Sequence, residues 1–394
     1  MWFLLFLYVL ALLIYARQVR DSGKVIHREV GLDDEPMGGA IPSVTVVVPF
    51  KDEGPLIASC LESVLKQDYP NLHVLAVNDR SGDGGGDVVR RLCESYPALR
   101  LREIEELPGD MFGKPHALHA ATEGIDSDYI VFLDSDFRMA PGCVRALVRQ
   151  FLKQDVDWLA VMARPDLTTA WERMLVPMFG AMVYAWRDPA KIADPASDDA
   201  LGSGFMIVRR EAYEAIGRHE SVVRSYDEDS ELLRVAKRAN QRVAYIMAPR
   251  IASVRFYGGF GALVRGLTRT LIGGLKSLWQ FALTIIGVQF VSLTPIGVMI
   301  GVGIAVAMGA TGLLTGLFTA LALVHIGMSI YLGVSVYRIS GVHAVYCFLQ
   351  PIAACVMTVI VIRAAILRMR KRSVSWRGTR YESTAVVRSP EAVS

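Results

Sequence analysis

Between Ser277 and Tyr337 the sequence holds no aspartate, glutamate, lysine or arginine. A single bilayer crossing takes roughly 20 apolar residues, so this stretch is long enough for more than one. Cysteine is scarce and unpatterned: Cys60, Cys93, Cys143, Cys347 and Cys355 show no CxxC or other ligand-like spacing. That argues against a disulfide framework or a zinc site and fits buried thiols in a reducing compartment. The net charge of +3 is too small a bias for a nucleic-acid partner. Basic residues gather at membrane borders instead, as Arg17, Arg20 and Lys24 after the N-terminal apolar run and as "RMRKR" at 368–372.

The chain opens on "MWFLLFLYVLALLIYA", with positive charge only after it. A secretory signal places its charge before the apolar core and a small-residue cleavage site after it. Residues 1–16 are therefore read as an uncleaved transmembrane anchor whose C-terminal side stays in the cytoplasm. A polar connector covers 17–42. From 43 to 255 short β-branched runs (43–48, 72–77, 99–104, 129–134, 157–162) alternate with helical patterns (55–67, 87–96, 114–124, 141–153). The alternation predicts βαβ units and a mostly parallel sheet covered on both faces, an α/β domain. Segment 256–276 spaces Arg265, Arg269 and Lys276 among leucines and isoleucine and suits an amphipathic helix in the membrane interface. Residues 277–367 are expected to form C-terminal transmembrane helices: one crossing at 343–362, and two long or three short spans within 277–337. A basic cytoplasmic tail, 368–394, follows. An even number of crossings is needed if that tail and the α/β domain share the cytoplasmic side.

Ligands on open α/β sheets bind beyond the carboxyl ends of strands. The first strand ends in Pro49, Phe50, Lys51, Asp52 and Glu53, the second in Asn78 and Asp79 with Ser81 and Asp83 beyond, the fourth in Asp134 and Asp136. Each group alone reads as a turn. Together they bring like charges to one sheet edge, where they repel unless a cation or polar ligand sits among them. Asp134 and Asp136, two apart on an extended segment, point to the same side and can converge on one hard cation. Oxygen-only ligands suit Mg²⁺ or Mn²⁺, with substrate phosphates sharing the shell. Further on, "GSGFMIVRREAY" (202–213) begins with a Gly202-Ser203-Gly204 turn. Asp227, Glu228 and Asp229 then open a helix, either as residues favoured by its dipole or as a general base facing the pocket.

"VVVPFKDEG", "VNDRSGD", "GKPHAL", "FLDSDF", "GSGFMIVRREAY" and "DEDSEL" fall in the order and spacing of family 2 glycosyltransferases, which residues 43–250 resemble. The resemblance implies a GT-A fold and transfer of a sugar from a nucleoside-diphosphate sugar, usually UDP-linked, with inversion at the anomeric carbon. It further implies that Pro49, Glu53 and Asp79 contact the nucleotide and that Lys114 lies near the donor. Asp134 and Asp136 would form the ribose- and metal-binding DxD, with Asp136 the surer metal ligand. Asp229, with Glu228 beside it, matches the catalytic base, and Gly202, Ser203 and Gly204 fall on the acceptor side. Asn78 and Asp52 depart from the family's commoner Asp and Asn at those positions.

Processive synthases of the family carry Gln-x-x-Arg-Trp after the base; no such motif follows Asp229. The ending "VSWRGTRY" (374–381) resembles that of membrane-bound members that glycosylate carotenoids, with ceramide, hopanoid and diacylglycerol enzymes sharing the plan. Arg377 and Arg380 either close over the donor phosphates or belong to a basic aromatic tail at the cytoplasmic membrane face. The resulting expectation is a multi-pass integral membrane enzyme of the cell or inner membrane, its catalytic domain cytoplasmic. It would move a hexose such as glucose from a UDP-sugar to a lipid hydroxyl. A polyprenyl-phosphate glycosyltransferase or a processive polysaccharide synthase is the alternative.

Overall fold

The computed structural model describes residues 2–26, 40–109, 111–187, 189–225, 227–370, 374–376 and 379–381. Helix α1 (Trp2–Ile26) comes first. Then strands and helices alternate: β1 (Val44–Phe50), α2 (Gly54–Leu65), β2 (Leu72–Asp79), α3 (Gly85–Ser95), β3 (Leu99–Ile104), α4 (Gly113–Ala121) and β4 (Tyr129–Leu133). After β5 (Phe137–Met139) and α5 (Cys143–Gln154) come β6 (Trp158–Met162), β7 (Arg164–Pro165), α6 (Ala170–Trp186) and α7 (Pro189–Ile192). The α/β part closes with β8 (Phe205–Arg209), α8 (Arg210–Ala215), α9 (Glu228–Arg238), β9 (Val243–Met247) and β10 (Ala252–Val254). Five helices follow, α10 (Phe260–Gly274), α11 (Leu278–Ser292), α12 (Thr294–Ala307), α13 (Leu313–Ile339) and α14 (Gln350–Met369), before the short strands β11 (Val374–Trp376) and β12 (Thr379–Tyr381).

Two compact units form. Of the described residues, one comprises those within 40–166, 187–256, 374–376 and 379–381; the other comprises 2–26, 167–186 and 257–370. In the first, seven strands run in the order β3-β2-β1-β4-β8-β6-β9. β1 pairs in parallel with β2 and β4, and β2 with β3, whereas β8 is antiparallel to both β4 and β6. The sheet is thus mostly parallel, the α/β GT-A class that the resemblance implies. β1 is buried at every position because both its faces are covered. Val46 and Val48 join a core shared with Leu61 and Phe151, while Val47 joins another shared with Leu118 and Leu232. Burying each such side chain contributes roughly 1.5–3 kcal/mol. The chain order reverses between β1 and its two parallel neighbours, and a crevice opens at the carboxyl ends at such a switch.

In the other unit, α1 buries Leu5, Tyr8, Leu12, Tyr15 and Val19, a stripe at intervals of three and four. The Tyr8 hydroxyl and His325 Nδ1 on α13 lie 3.0 Å apart, and Ser329 donates to the Val291 carbonyl at 2.9 Å. Arg368 of α14 donates to the carbonyls of Ile272 and Lys276, closing the C-terminal end of α10. Two helical stretches, Leu313–Ile339 and Ala344–Met369, are long and apolar enough to cross a membrane. Leu278–Ser292 and Thr294–Ala307 meet at 54° and form a third only if that bent pair is one span. Two findings differ from the sequence-based expectation. Helix α1 continues to Ile26, into the expected connector, and the 167–186 segment leaves the α/β unit for the helical one.

In the α/β unit His219 is fully buried, its Nδ1 2.5 Å from the Tyr213 hydroxyl and its ring edge-on to Phe132. Burial first and the Lys114 charge second depress its pKa to about 3, against roughly 6.5 in an unfolded chain. Above pH ~6.5 neither state is protonated and the residue is neutral to stability. Below it the unfolded chain takes up a proton that the folded unit refuses, so stability falls by up to about 1.4 kcal/mol per pH unit. Urea midpoints between pH 7 and pH 5 should therefore fall, and His219→Gln should flatten the decline.

Candidate active site

The strand-end loops are built by short local bonds. Asp52 and Arg80, after β1 and β2, adopt positive φ angles of 51° and 55°. Asp52 is held there by its N–H donating to the Ser81 hydroxyl (3.0 Å) and its carboxylate accepting from Gly82 N–H (2.8 Å). Asp83 accepts from Gly54 N–H (2.6 Å) and Gly85 N–H (2.9 Å), fastening the starts of α2 and α3. Lys51 Nζ donates to the carbonyls of Asp79 and Arg80. Glu53 is buried at the start of α2, and Pro49 lies buried within β1 opposite Val77. Asp79, 4% exposed at the end of β2, accepts from Arg80 Nε at 2.8 Å. Gly113 is pressed against it: a Cβ there would meet Asp79 Oδ2. That contact accounts for the glycine of the "GK" pair. Asn78 is engaged structurally, accepting from Ser81 N–H and donating to Glu103.

Lys114, the next residue, is the hub. Its Nζ lies 2.9 Å from Asp134 Oδ1, 2.7 Å from Glu228 Oε1 and 3.3 Å from Asp229 Oδ2. Acids from the end of β4 and the start of α9 thus meet on one ammonium. Burial alone would depress the Lys114 pKa, but Asp134, Asp229 and Glu228 override it and hold it well above the usual lysine range. Burial raises the Asp229 pKa well above the ordinary carboxylate value; Lys114 opposes this, while Glu228 and Asp134 add to it. Such opposed perturbations mark groups suited to proton transfer.

Asp136 stands apart from the hub. Its Oδ1 is buried with no hydrogen-bond partner among the described residues. Burial first, then the Asp134 charge, push its carboxyl up to about 7. A cation between the two carboxylates would relieve both effects, so the oxygen-only pair fits Mg²⁺ or Mn²⁺. Among the described residues no group of three or more His, Cys, Asp or Glu side chains is placed to hold a metal ion. The remaining ligands would come from diphosphate and water, as Mg²⁺ ordinarily takes them.

Gly202 and Gly204 support this machinery from behind. Asp134 N–H donates to the Gly204 carbonyl (2.7 Å), and Gly202 N–H to the Ser230 hydroxyl (3.1 Å). A Cβ on Gly204 would overlap the Asp134 carboxylate, and one on Gly202 would overlap the backbone at Asp229. Ser203 turns away, donating to the Val161 carbonyl at 2.6 Å. The structure therefore brings together Lys114, Asp134, Glu228 and Asp229, with Asp136 beside Asp134. Arg377 lies outside the described residues. Arg380 falls in β12, paired with Ser375, and its side chain lies outside the description. Sequence reasoning gave no role to Arg80 or Gly113, for which the "NDR" tripeptide and the "GK" dipeptide were the available signals.

Residues 45–217 match the family Glycosyl transferase family 2. Over 252 residues the chain is 25% identical to a 4,4'-diaponeurosporenoate glycosyltransferase of Staphylococcus aureus strain bovine RF122 / ET3-1, covering 61% of this chain and 66% of that protein. The counterpart in strain USA300 is 24% identical over the same coverage. The chain thus spans about two thirds of the length of these relatives. Among solved structures, the mannosyltransferase PcManGT from Pyrobaculum calidifontis, in complex with GDP-Man and Mn²⁺, gives a TM-score of 0.48 at 22% identity, covering 88% of this chain and 94% of that one. S. aureus TarS 1–349 gives 0.41 at 14% identity, covering 86% and 95%.

Because a displacement of about 1 Å in a catalytic group can cost roughly 10²-fold in rate, Gly204→Ala should lower turnover by about that factor. Steady-state kinetics beside an unchanged thermal melt would check it, and Ser203→Ala should have a far smaller effect.

Proposed function

This chain is a glycosyltransferase of family 2 by its residues 45–217, and we propose that it transfers a hexose from a UDP-sugar to a membrane lipid hydroxyl with inversion. The observation that carries the reading is the sharing of Lys114 between Asp134 and the Glu228-Asp229 pair. A direct displacement needs a base for the acceptor oxygen and positive charge near the leaving group, and these side chains offer both. Asp229 takes the proton of the acceptor hydroxyl as its oxygen attacks the sugar C1. The bond from C1 to the diphosphate oxygen breaks, and its electron pair leaves with the diphosphate. Glu228 holds Lys114 at 2.7 Å, keeping positive charge at this edge. Pro49, Glu53, Asp79 and the tail residues Arg377 and Arg380 serve the nucleotide and phosphates in this reading, and the Gly202-Ser203-Gly204 turn backs the acceptor side. Asp134 and Asp136 would hold Mg²⁺ or Mn²⁺, which when bound neutralises the developing charge of the leaving group.

The lipid acceptor is supported by the apolar helices α13 and α14 and by the relatives named for a carotenoid-type substrate. We read the chain as a multi-pass membrane protein with α1 as anchor and the catalytic unit cytoplasmic, following the positive charges at 17–24 and 368–372. A second reading has its own support: the relatives' name denotes a carboxylic acid. An acceptor already ionised, whether carboxylate or polyprenyl phosphate, attacks without losing a proton.

Incubating membranes with several labelled UDP-sugars, followed by mass spectrometry of the lipid extract, tests the reaction; a water-soluble polymer as the product would overturn it. Asp229→Asn should lower the rate by about 10²–10⁴-fold, the usual range for a lost general base. Full turnover in that variant would favour the ionised acceptor.

A further inference from the structure

Contrary to the sequence-based expectation of an extended segment, Asp134 and Asp136 lie between two strands. β4 ends at Leu133 and β5 begins at Phe137, and the Phe137 N–H donates to the Asp134 carbonyl at 3.1 Å, closing a four-residue turn. The alternation of a pleated strand therefore does not aim the two carboxylates the same way; the conformation of the turn does. Its central peptide, which carries the Ser135 carbonyl, is the unit whose rotation separates one turn type from another. Ser135 is 4% exposed, so that carbonyl needs its partner within the protein.

Arg138 supplies it. Its Nη1 donates to the Ser135 carbonyl at 3.3 Å and to the Phe137 carbonyl at 2.5 Å. Its Nη2 donates to the Leu56 carbonyl at 3.0 Å and to the Ser59 hydroxyl, both in α2. One guanidinium thus spans from the turn that carries the acids to the first turns of the helix that starts beside Glu53. A planar fork of fixed donors serves two acceptors on each side at once, which the single ammonium of a lysine does not. The next peptide is held by backbone alone, Arg255 N–H donating to the Asp136 carbonyl at 2.9 Å. Further along α2, the Ser63 hydroxyl accepts from Met139 N–H at 3.1 Å and Gln67 Nε2 donates to the Ala140 carbonyl at 2.9 Å. Those two bonds join α2 to the chain beyond the turn, whereas Arg138 reaches into it.

A pair of acids binds a cation well only when the groups behind them keep both carboxylates aimed at one point. We propose that Arg138 is the positioning residue of the metal site: it locks the peptide between Asp134 and Asp136 so that both side chains address the same Mg²⁺ or Mn²⁺. The proposal rests on the reading that these two aspartates hold the cation; the bonds from Arg138 to the turn do not depend on it.

The test is Mn²⁺ binding to the full chain in detergent with UDP present, read from the loss of the free-ion paramagnetic resonance signal against a protein-free UDP blank. Arg138→Met keeps the length of the side chain and removes every donor. It should raise the Mn²⁺ dissociation constant roughly 10–100-fold, the usual cost of losing a group that supports a metal ligand. Arg138→Lys should fall between that variant and the wild type, and it carries the test if Arg138→Met does not fold. Excess Mn²⁺ should restore turnover in either variant, which a general loss of stability would not allow. Ser63→Ala loosens the same helix contact without touching the turn, so it should lower the melting temperature and leave Mn²⁺ affinity unchanged. Wild-type affinity in the Arg138 variants, or an equal weakening by Ser63→Ala, overturns the positioning role while the metal site stands. Asp136→Asn separates the two claims: if it binds Mn²⁺ as tightly as the wild type, or the wild type binds none, the metal reading falls and the proposal with it.

Discussion

Carboxylates cannot be crowded at the edge of a sheet without a positive charge among them, and here that charge is the Lys114 ammonium. It reaches Asp134 from one part of the chain and Glu228 and Asp229 from another nearly a hundred residues later. The requirements on the backbone follow from this convergence. α4 must start close enough to Asp79 that its first residue has no side chain, and the turn before β8 must pass so close to the Asp229 backbone and the Asp134 carboxylate that it is glycine at both ends. Mostly parallel strands serve the purpose because each of them delivers its last residue to the same edge.

Much of this was legible in the residues. β1 and β4 are buried on both faces, so they read as unbroken apolar runs, and the polar residues that end them stand out sharply. β3, whose pattern mixes arginine and glutamate with leucine, was still found through its alternation. The acidic strand ends and the helix start at Glu228 could be located for the same reason: each is a break in a pattern.

What stayed hidden was either interrupted or long-range. α6 carries Pro177 within it, a signal that ordinarily argues against a helix, and it lies inside an otherwise regular α/β stretch. The bend at Leu293 splits an uncharged run that composition alone could divide in more than one way. The contact of Lys114 with α9 and the overlap that forces Gly204 to lack a side chain depend on the folded path. No periodicity records them.

The excursion of 167–186 out of the α/β unit bears on how the protein is made. β6 is synthesised before α6, but both of its sheet partners, β8 and β9, come after it. A ribosome that has released residues up to 166 has therefore produced β1 to β4 able to pair among themselves, while β8, the other neighbour of β4 and of β6, is still to come. The far half of the sheet, and with it the helix bearing Asp229, must wait until an apolar helix belonging to the other unit has emerged. A fragment cut to 40–256 would keep Lys114, Asp134, Asp136, Glu228 and Asp229 yet carry α6 without the helices it packs against, α10, α13 and α14. Trimming the chain at its ends therefore cannot part the α/β unit from every segment of the helical one.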